Sequence, residues 1–198
     1  MKKFLLVIRP ENRDESNKLY RQAIQMFGGE VVEVNDSDGW DSVLIKLKNI
    51  NGILLPGGDD VGKLDFLLIE YALINKVKLL GICQGMQSMA LYGSDDCLVS
   101  IGDESHYLRD RYCHEVELEK DSILYDVSQS NLIWVNSYHH QTVMNSYKFR
   151  VVGRSFDGLI EAIESYDDVF QVGVQWHPER MIDYDEVAYK LIEMFITK

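Results

Sequence analysis

The sequence predicts an α/β fold: a mostly parallel sheet with helices on both faces. Three observations carry that prediction. Runs of strand length alternate with segments of helical period four times between Phe4 and Tyr92. The first of these runs is apolar throughout rather than at every second residue, as a strand buried on both faces must be. Glycine, proline or charged residues punctuate the runs, and repeated strand–helix units close through right-handed crossovers.

Residues 4–8 (Phe-Leu-Leu-Val-Ile) are the first strand. Residues 14–27 follow as a helix, with Leu19, Ala23, Ile24 and Phe27 at helical spacing and Gly28-Gly29 as the stop. The second strand is 31–34, and Trp40, Val43, Leu44 and Leu47 form a second helical face. The third strand, 52–55, ends at Pro56-Gly57-Gly58. A third helix over 64–75, a fourth strand over 78–82 and a fourth helix over 84–92 complete the alternation. In such sheets ligands bind beyond the carboxyl ends of the strands. That edge receives Arg9-Pro10-Glu11, Pro56-Gly57-Gly58-Asp59 and Cys83-Gln84-Gly85.

After Tyr92 the rhythm shortens. Strand-like runs at 115–118, 132–135, 149–152, 159–163 and 170–174 are joined by turn-rich pieces, and Asp157-Gly158 suits a type I′ hairpin turn. A closing helix over 185–196 is amphipathic through Val187, Ala188, Leu191, Ile192 and Phe195. No repeat, low-complexity tract or linker divides the chain, so residues 1–198 read as one domain, an ordinary size for a single core.

A content of 46% hydrophobic and 26% charged residues is that of a soluble globular chain and not of a disordered one. Its 20 basic and 32 acidic residues leave a net charge of −12, which argues against a broad basic surface for nucleic acid or anionic lipid. A few local arginines could still hold a small anionic ligand. Cys83, Cys97 and Cys113 are odd in number and lack CxxC spacing, which argues against a disulfide scaffold or a structural zinc site. The apolar run after Met1-Lys2-Lys3 is shorter than the roughly 7–15 residues of a signal-peptide core. No stretch approaches the ~20 apolar residues of a membrane span. The expected location is therefore cytoplasmic and reducing.

The sharpest chemical feature is Gly81-Ile82-Cys83-Gln84-Gly85, lying between a buried strand and a helical segment. A nucleophile elbow needs a residue in a strained conformation at a tight strand-to-helix turn, with glycines two positions before and after it. At a helix N-terminus the dipole favours a thiolate, and the N–H of Gln84 would face a developing oxyanion. The plainer alternative is a small buried cysteine at a strand end. A second feature is Gln175-Trp176-His177-Pro178-Glu179. Pro178 keeps His177 out of the α conformation, and in extended chain residues two apart share a side, so Glu179 can orient the imidazole. An isolated His–Glu pair on a strand surface is the alternative. Third, Gly57-Gly58 ends a strand at the same edge and can aim a second N–H at the space above Cys83.

Together these segments resemble the class I glutamine amidotransferases. Leu-Pro-Gly-Gly (55–58), Gly-Ile-Cys-Gln-Gly-Met-Gln (81–87) and Gly-Val-Gln-Trp-His-Pro-Glu (173–179) look like that superfamily's oxyanion strand, nucleophile elbow and His/Glu pair. Val-Asn-Ser-Tyr-His-His-Gln (135–141) is similar to a signature of its free-standing γ-glutamyl hydrolase branch, the peptidase C26-like proteins, and residues 157–164 look like that branch too. The resemblance runs from Phe4 to about Glu179. It implies a three-layer, flavodoxin-like α/β/α sandwich with a small antiparallel extension. It also implies Cys83 as nucleophile, His177 as general acid/base, Glu179 as its orienting partner, and the N–H groups of Gly58 and Gln84 as the oxyanion hole. Gly57, Gln87, Tyr138, His139, His140 and Gln141 would line the γ-glutamyl pocket.

The implied reaction is acyl transfer from a γ-glutamyl amide to Cys83, followed by hydrolysis of the thioester, with no metal or organic cofactor. His139 and His140 read as pocket wall, because neighbours in extended chain point apart and no carboxylate or cysteine ligand accompanies them. His106 and His114 read as structural or surface residues.

Two departures leave the leaving group open. The loop 59–63 after the glycine pair is shorter than in that branch, and Gly-Ser-Asp-Asp-Cys (93–97) replaces a usual Gly-Gly-Thr turn. The substrates implied are γ-glutamyl-aminobutyrate, γ-glutamyl peptides, and γ-glutamyl nucleotide phosphoramidates such as γ-glutamyl-CDP-amidate in capsule biosynthesis. A shortened loop that opens the site to a bulky leaving group favours the last, with Arg9, Arg109 and Arg111 as candidate phosphate contacts. The competing readings are a glutaminase subunit feeding ammonia to a synthase partner, and a sensor that retains the pocket. The expected partner is a small molecule, not nucleic acid or membrane, with a synthase partner or a homodimer left open.

Overall fold

The structure is a computed structural model and describes residues 1–10 and 14–198. Glu11, expected beside the strand edge, lies outside the described residues. The strands β1 (Lys3–Val7), β2 (Glu30–Val34), β3 (Gly52–Leu55) and β4 (Lys78–Ile82) alternate with helices α1 (Asp14–Met26), α2 (Trp40–Lys46) and α3 (Lys63–Asn75), and α4 (Gln84–Leu91) follows β4. Beyond them come β5 (Val99–Ser100), β6 (His114–Leu118), α5 (Ile123–Ser128), β7 (Leu132–Val135), β8 (Gln141–Thr142), β9 (Arg150–Ser155), β10 (Ile160–Glu164), β11 (Gln171–Val174) and α6 (Glu186–Thr197).

Nine strands form one sheet in the order β2-β1-β3-β4-β11-β10-β9-β6-β7. The first five run parallel, and β10, β9, β6 and β7 continue antiparallel. The antiparallel extension is thus not a separate layer but the far half of the same sheet. Alternation along each strand sends side chains to two cores. In β1, Phe4 and Leu6 pack beneath α1, α5 and α6, while Leu5 and Val7 pack beneath α2, α3 and α4. Helices therefore cover both faces, and the three-layer expectation holds.

Local differences from the sequence reading have local causes. The two-residue strands β5 and β8 pair with each other, and strands that short carry no periodicity to read. Helix α5 is a short turn started by Ser122, whose hydroxyl accepts from the Tyr125 N–H at 3.0 Å. In α2 Val43 is fully buried, as is Leu47 just beyond its end, while Leu44 is exposed. The β9–β10 hairpin is not type I′: Gly158 alone takes a positive φ (86°), after a turn in which its N–H reaches the Ser155 carbonyl. That is a type I turn followed by a left-handed residue, and it needs one glycine rather than two permissive positions.

Candidate active site

Cys83 ends β4 and caps α4, with φ 52° and ψ −108°. A non-glycine residue there is strained, and the surrounding chain must hold it. Its N–H is bound by the Val174 carbonyl of β11, and its carbonyl accepts the first helical bond, from Gln87. A Cβ on Gly85 would collide with the Leu55 carbonyl, so only glycine lets α4 lie this close to β3. The N–H of Gln84, at the first position of α4, has no intrahelical acceptor.

A buried polar network braces this turn from below. Arg9, at the end of β1, grips both carboxylate oxygens of Asp65 at 2.9 and 2.7 Å. Asp65 also accepts from the Ser88 hydroxyl (2.6 Å) and the Gln84 amide (3.3 Å), both on α4. Arg9 is 1% exposed, so its guanidinium is spent inside the molecule and does not reach a phosphate, contrary to the sequence expectation.

His177 follows β11 and stands beside Cys83. Asn136 clamps its backbone from both sides: the His177 N–H donates to Asn136 Oδ1 at 2.8 Å, and Asn136 Nδ2 donates to the His177 carbonyl at 2.9 Å. Its Nδ1 lies 2.7 Å from Glu179 Oε1. Residues Pro178–Arg180 curl into a 3₁₀ turn rather than running extended. Glu179 thus meets the ring by folding back, not by strand alternation. A Cβ on Gly57 would sit 2.9 Å from His177 Cε1 and 3.5 Å from Cys83 Cβ, so the absent side chain is what admits the imidazole. Burial pushes the imidazole pKa down. The charges of Glu179 and Cys83, with hydrogen bonds to both, outweigh it and raise the value to about 10. At neutral pH this site holds an imidazolium beside the sulfur and can donate a proton to a leaving group.

The sequence-predicted residues gather here with distinct surroundings. The Gly57 N–H donates to Tyr20 Oη at 3.0 Å, and Gly58 borders the open space over Cys83. Burial and the nearby Glu179 charge hold the Tyr20 hydroxyl well above the ordinary tyrosine range, so it stays a neutral phenol. Two clefts meet over Cys83. One, of about 470 Å³, is walled by Gln87, Tyr138, His139, His140 and Gln141. The other, of about 500 Å³, is walled by Tyr20, Gly57, Tyr107, Arg109, Tyr138 and Arg180. Gln87 spends its amide on the Gln141 carbonyl (3.0 Å) and Gln175 Oε1 (3.1 Å), which makes it a wall brace.

Arg109 stacks over Tyr107, its guanidinium carbon 4.2 Å from the ring centroid, and borders the second cleft. Arg111 turns instead to the Tyr184 ring at 4.9 Å and does not border either cleft. Several residues escaped the sequence reading, the cleft walls Tyr20 and Tyr107 among them, and two of them lie near the His-Pro-Glu motif. Arg180, adjacent to the His-Pro-Glu motif, borders the second cleft and lies over Tyr138 at 5.2 Å. Gln175, two residues before His177, donates to Cys83 Sγ at 3.5 Å. Their only signal was proximity to that motif.

The histidines depart in part from the sequence expectation. His139 and His140 do point apart: His139 is buried and His140 stacks against Tyr107 with centroids 3.8 Å apart. A carboxylate does accompany His139, however. Glu161 Oε1 lies 3.5 Å from its Nε2, and His106 and His114 close on the same group. Burial alone would raise the Glu161 pKa, but the three histidines around it hold it down at about 2.

Among the described residues no helix is long and apolar enough to cross a membrane. Residues 62–179 match the family described as Peptidase C26. Over 212 aligned residues the chain is 29% identical to the γ-glutamyl-γ-aminobutyrate hydrolase of Escherichia coli, covering 90% of this chain and 84% of that one. Its fold is similar to the glutaminase domain of Trypanosoma brucei CTPS with bound acivicin, at a TM-score of 0.76, 16% identity, and 98% and 92% coverage of the two chains. PurLQS from Thermotoga maritima is similar at a TM-score of 0.71 and 17% identity, with 98% and 97% covered.

Proposed function

The chain belongs to the peptidase C26 family, and from that premise we propose that it hydrolyses a γ-glutamyl amide through Cys83, His177 and Glu179, with residues 1–198 acting as one domain. The observation that carries this reading is the His177 ring set between the Cys83 sulfur and the Glu179 carboxylate. The sulfur attacks the γ-carbonyl carbon, and the oxyanion that forms is met by the N–H groups of Gly58 and Gln84. As the C–N bond breaks, His177 gives its proton to the departing nitrogen. His177 then takes a proton from water, which attacks the thioester, releases glutamate and returns the sulfur. Glu179 keeps the ring oriented and its positive charge stabilised throughout. The C26 match and the likeness to a γ-glutamyl-γ-aminobutyrate hydrolase support this reaction class.

Of the two clefts, we assign the one bordered by Gln87 and Gln141 to the glutamyl group and the other to the leaving group. Arg109 and Arg180 flank that second cleft, with Tyr107 offering an aromatic face. Glu15 and Asp59 border the same cleft, so the phosphate is assigned to the Arg109 and Arg180 side and the planar base to Tyr107, and the substrate proposed is a γ-glutamyl nucleotide phosphoramidate such as γ-glutamyl-CDP-amidate. The test is glutamate release from that compound, γ-glutamyl-aminobutyrate, a γ-glutamyl dipeptide and glutamine. The nucleotide amidate should show the highest kcat/KM. Arg109→Ala should raise its KM about tenfold, as loss of about 1.4 kcal/mol would, and leave glutamine unaffected, whereas Arg180 also stands 3.5 Å from Glu179 Oε1 and its removal would slow both substrates. Fastest turnover of glutamine, unaffected by Arg109→Ala, would exclude this leaving group.

A further inference from the structure

We propose that His106, His114, His139 and Glu161 form a structural zinc site that pins the wall of the active site. It is independent of the catalytic reading and departs from the sequence expectation that no structural zinc is bound. That expectation looked for cysteines and short ligand spacings, whereas these four residues are far apart in the chain and meet only in the fold.

The four side chains are no more than 5% exposed, and their ligand atoms all lie within 4.8 Å of one another. Glu161 Oε1 is 3.4 Å from His106 Nδ1, 3.5 Å from His139 Nε2 and 3.8 Å from His114 Nε2. Atoms bound at about 2.0–2.2 Å to a tetrahedral zinc stand about 3.3–3.6 Å from one another. The Glu161–histidine separations match that spacing and are long for direct hydrogen bonds, while the wider separations, up to 4.8 Å, would contract when an ion binds.

The outer ring nitrogens fix which atoms face inward. His106 Nε2 meets Asp157 Oδ2 at 3.0 Å, His139 Nδ1 meets the Gln141 carbonyl at 3.0 Å, and His114 Nδ1 meets the Glu115 carbonyl at 3.2 Å. Carbonyl and carboxylate oxygens only accept, so each outer nitrogen carries a proton, and in the neutral, metal-binding form of each ring the inner nitrogen presents a lone pair. Those inner nitrogens, and both oxygens of Glu161, have no hydrogen-bond partner. In that form three lone pairs and a carboxylate face one small buried space, and a cation there would satisfy them all.

The backbone is built to deliver the carboxylate. Ile160 pairs with Arg154 and Ala162 with Gly153, so Glu161 is the extra residue of a bulge in β10, a device that re-aims a side chain. The site would tie four separate segments together. The His106 carbonyl also accepts from Ser137 Oγ (2.7 Å) and the His139 N–H (2.9 Å), which fixes the stretch that carries Asn136 and Tyr138 against His177. With four protein ligands and no open position, the ion would be structural rather than catalytic.

The test loads the purified full chain with zinc, removes loose metal by desalting and measures content by mass spectrometry. About one zinc per chain is expected, and cobalt in its place should give intense visible bands of a tetrahedral site without a sulfur-to-metal band. A chelator strong enough to strip the metal should lower Tm by about 5 °C or more. Glu161→Gln and His114→Gln should each abolish retention while circular dichroism reports a folded chain. Because the wild-type load is read without any variant, a variant that fails to fold leaves the test intact. Less than about 0.1 metal per folded wild-type chain overturns the proposal. So does stoichiometric metal retained by folded Glu161→Gln, or a cobalt–thiolate band, either of which would place the ion elsewhere.

Discussion

At the scale of single residues, the account turns on the protonation of His177. Its value of about 10 in the folded chain lies above the 6.5 of a free imidazole. Below pH 6.5 the ring is charged in both folded and unfolded chains, and its contribution to stability is fully present. As pH rises the unfolded ring loses its proton first, so that contribution is lost progressively toward pH 10. Urea unfolding should therefore show stability falling between those limits, and falling less in His177→Gln. A wild-type stability that rises over this range, or one whose slope the substitution leaves unchanged, would contradict the assignment. Cys83, His177 and Glu179 were legible as residues because a Gly-x-Cys-x-Gly turn and a His-Pro-Glu run are dense local patterns. Arg9 misled for the opposite reason. Its position at a strand end was read correctly, but its partner Asp65 is remote in sequence and gives no local sign of an ion pair.

At the scale of elements, the elbow depends on what lies beneath it. The Arg9–Asp65 pair joins β1 to α3, and Ser88 and Gln84 join α4 to the same carboxylate. Breaking one partner leaves a buried charge uncompensated, so Asp65→Asn should destabilise the fold by about 3–5 kcal/mol. A paired replacement, Arg9→Met with Asp65→Leu, should cost less than Asp65→Asn alone. Chemical denaturation of the three chains decides it, and a paired variant less stable than the single one would show that the network acts through more than charge compensation. Helices and parallel strands were readable because their burial imposes periodicity. The β9–β10 turn type, the bulge at Glu161 and the 3₁₀ turn after His177 were not, because each depends on one or two backbone angles set by packing.

At the scale of the whole molecule, the sheet order is what turns scattered motifs into one site. Strand β11 lies beside β4, so His177 arrives next to Cys83 across 94 positions of sequence, while β3 on the other side of β4 delivers the glycine pair. The alternation before Tyr92 foretold the parallel half, and the motifs foretold which ends would meet. The strand-like runs after Tyr92 and the family resemblance foretold an antiparallel extension, but not that it would continue the same sheet or fold three histidines around Glu161, since those contacts join segments with no shared pattern. The central claim is that a sulfur and an imidazole brought together this way cleave an amide bond covalently. Its most direct test is to quench the isolated chain in acid during turnover of a γ-glutamyl amide and weigh the intact protein and its Cys83 peptide. A glutamyl increment on that peptide is predicted, together with loss of hydrolysis by about 10³-fold or more in Cys83→Ala. A Cys83→Ala chain that still releases glutamate at more than about a tenth of the wild-type rate would contradict it.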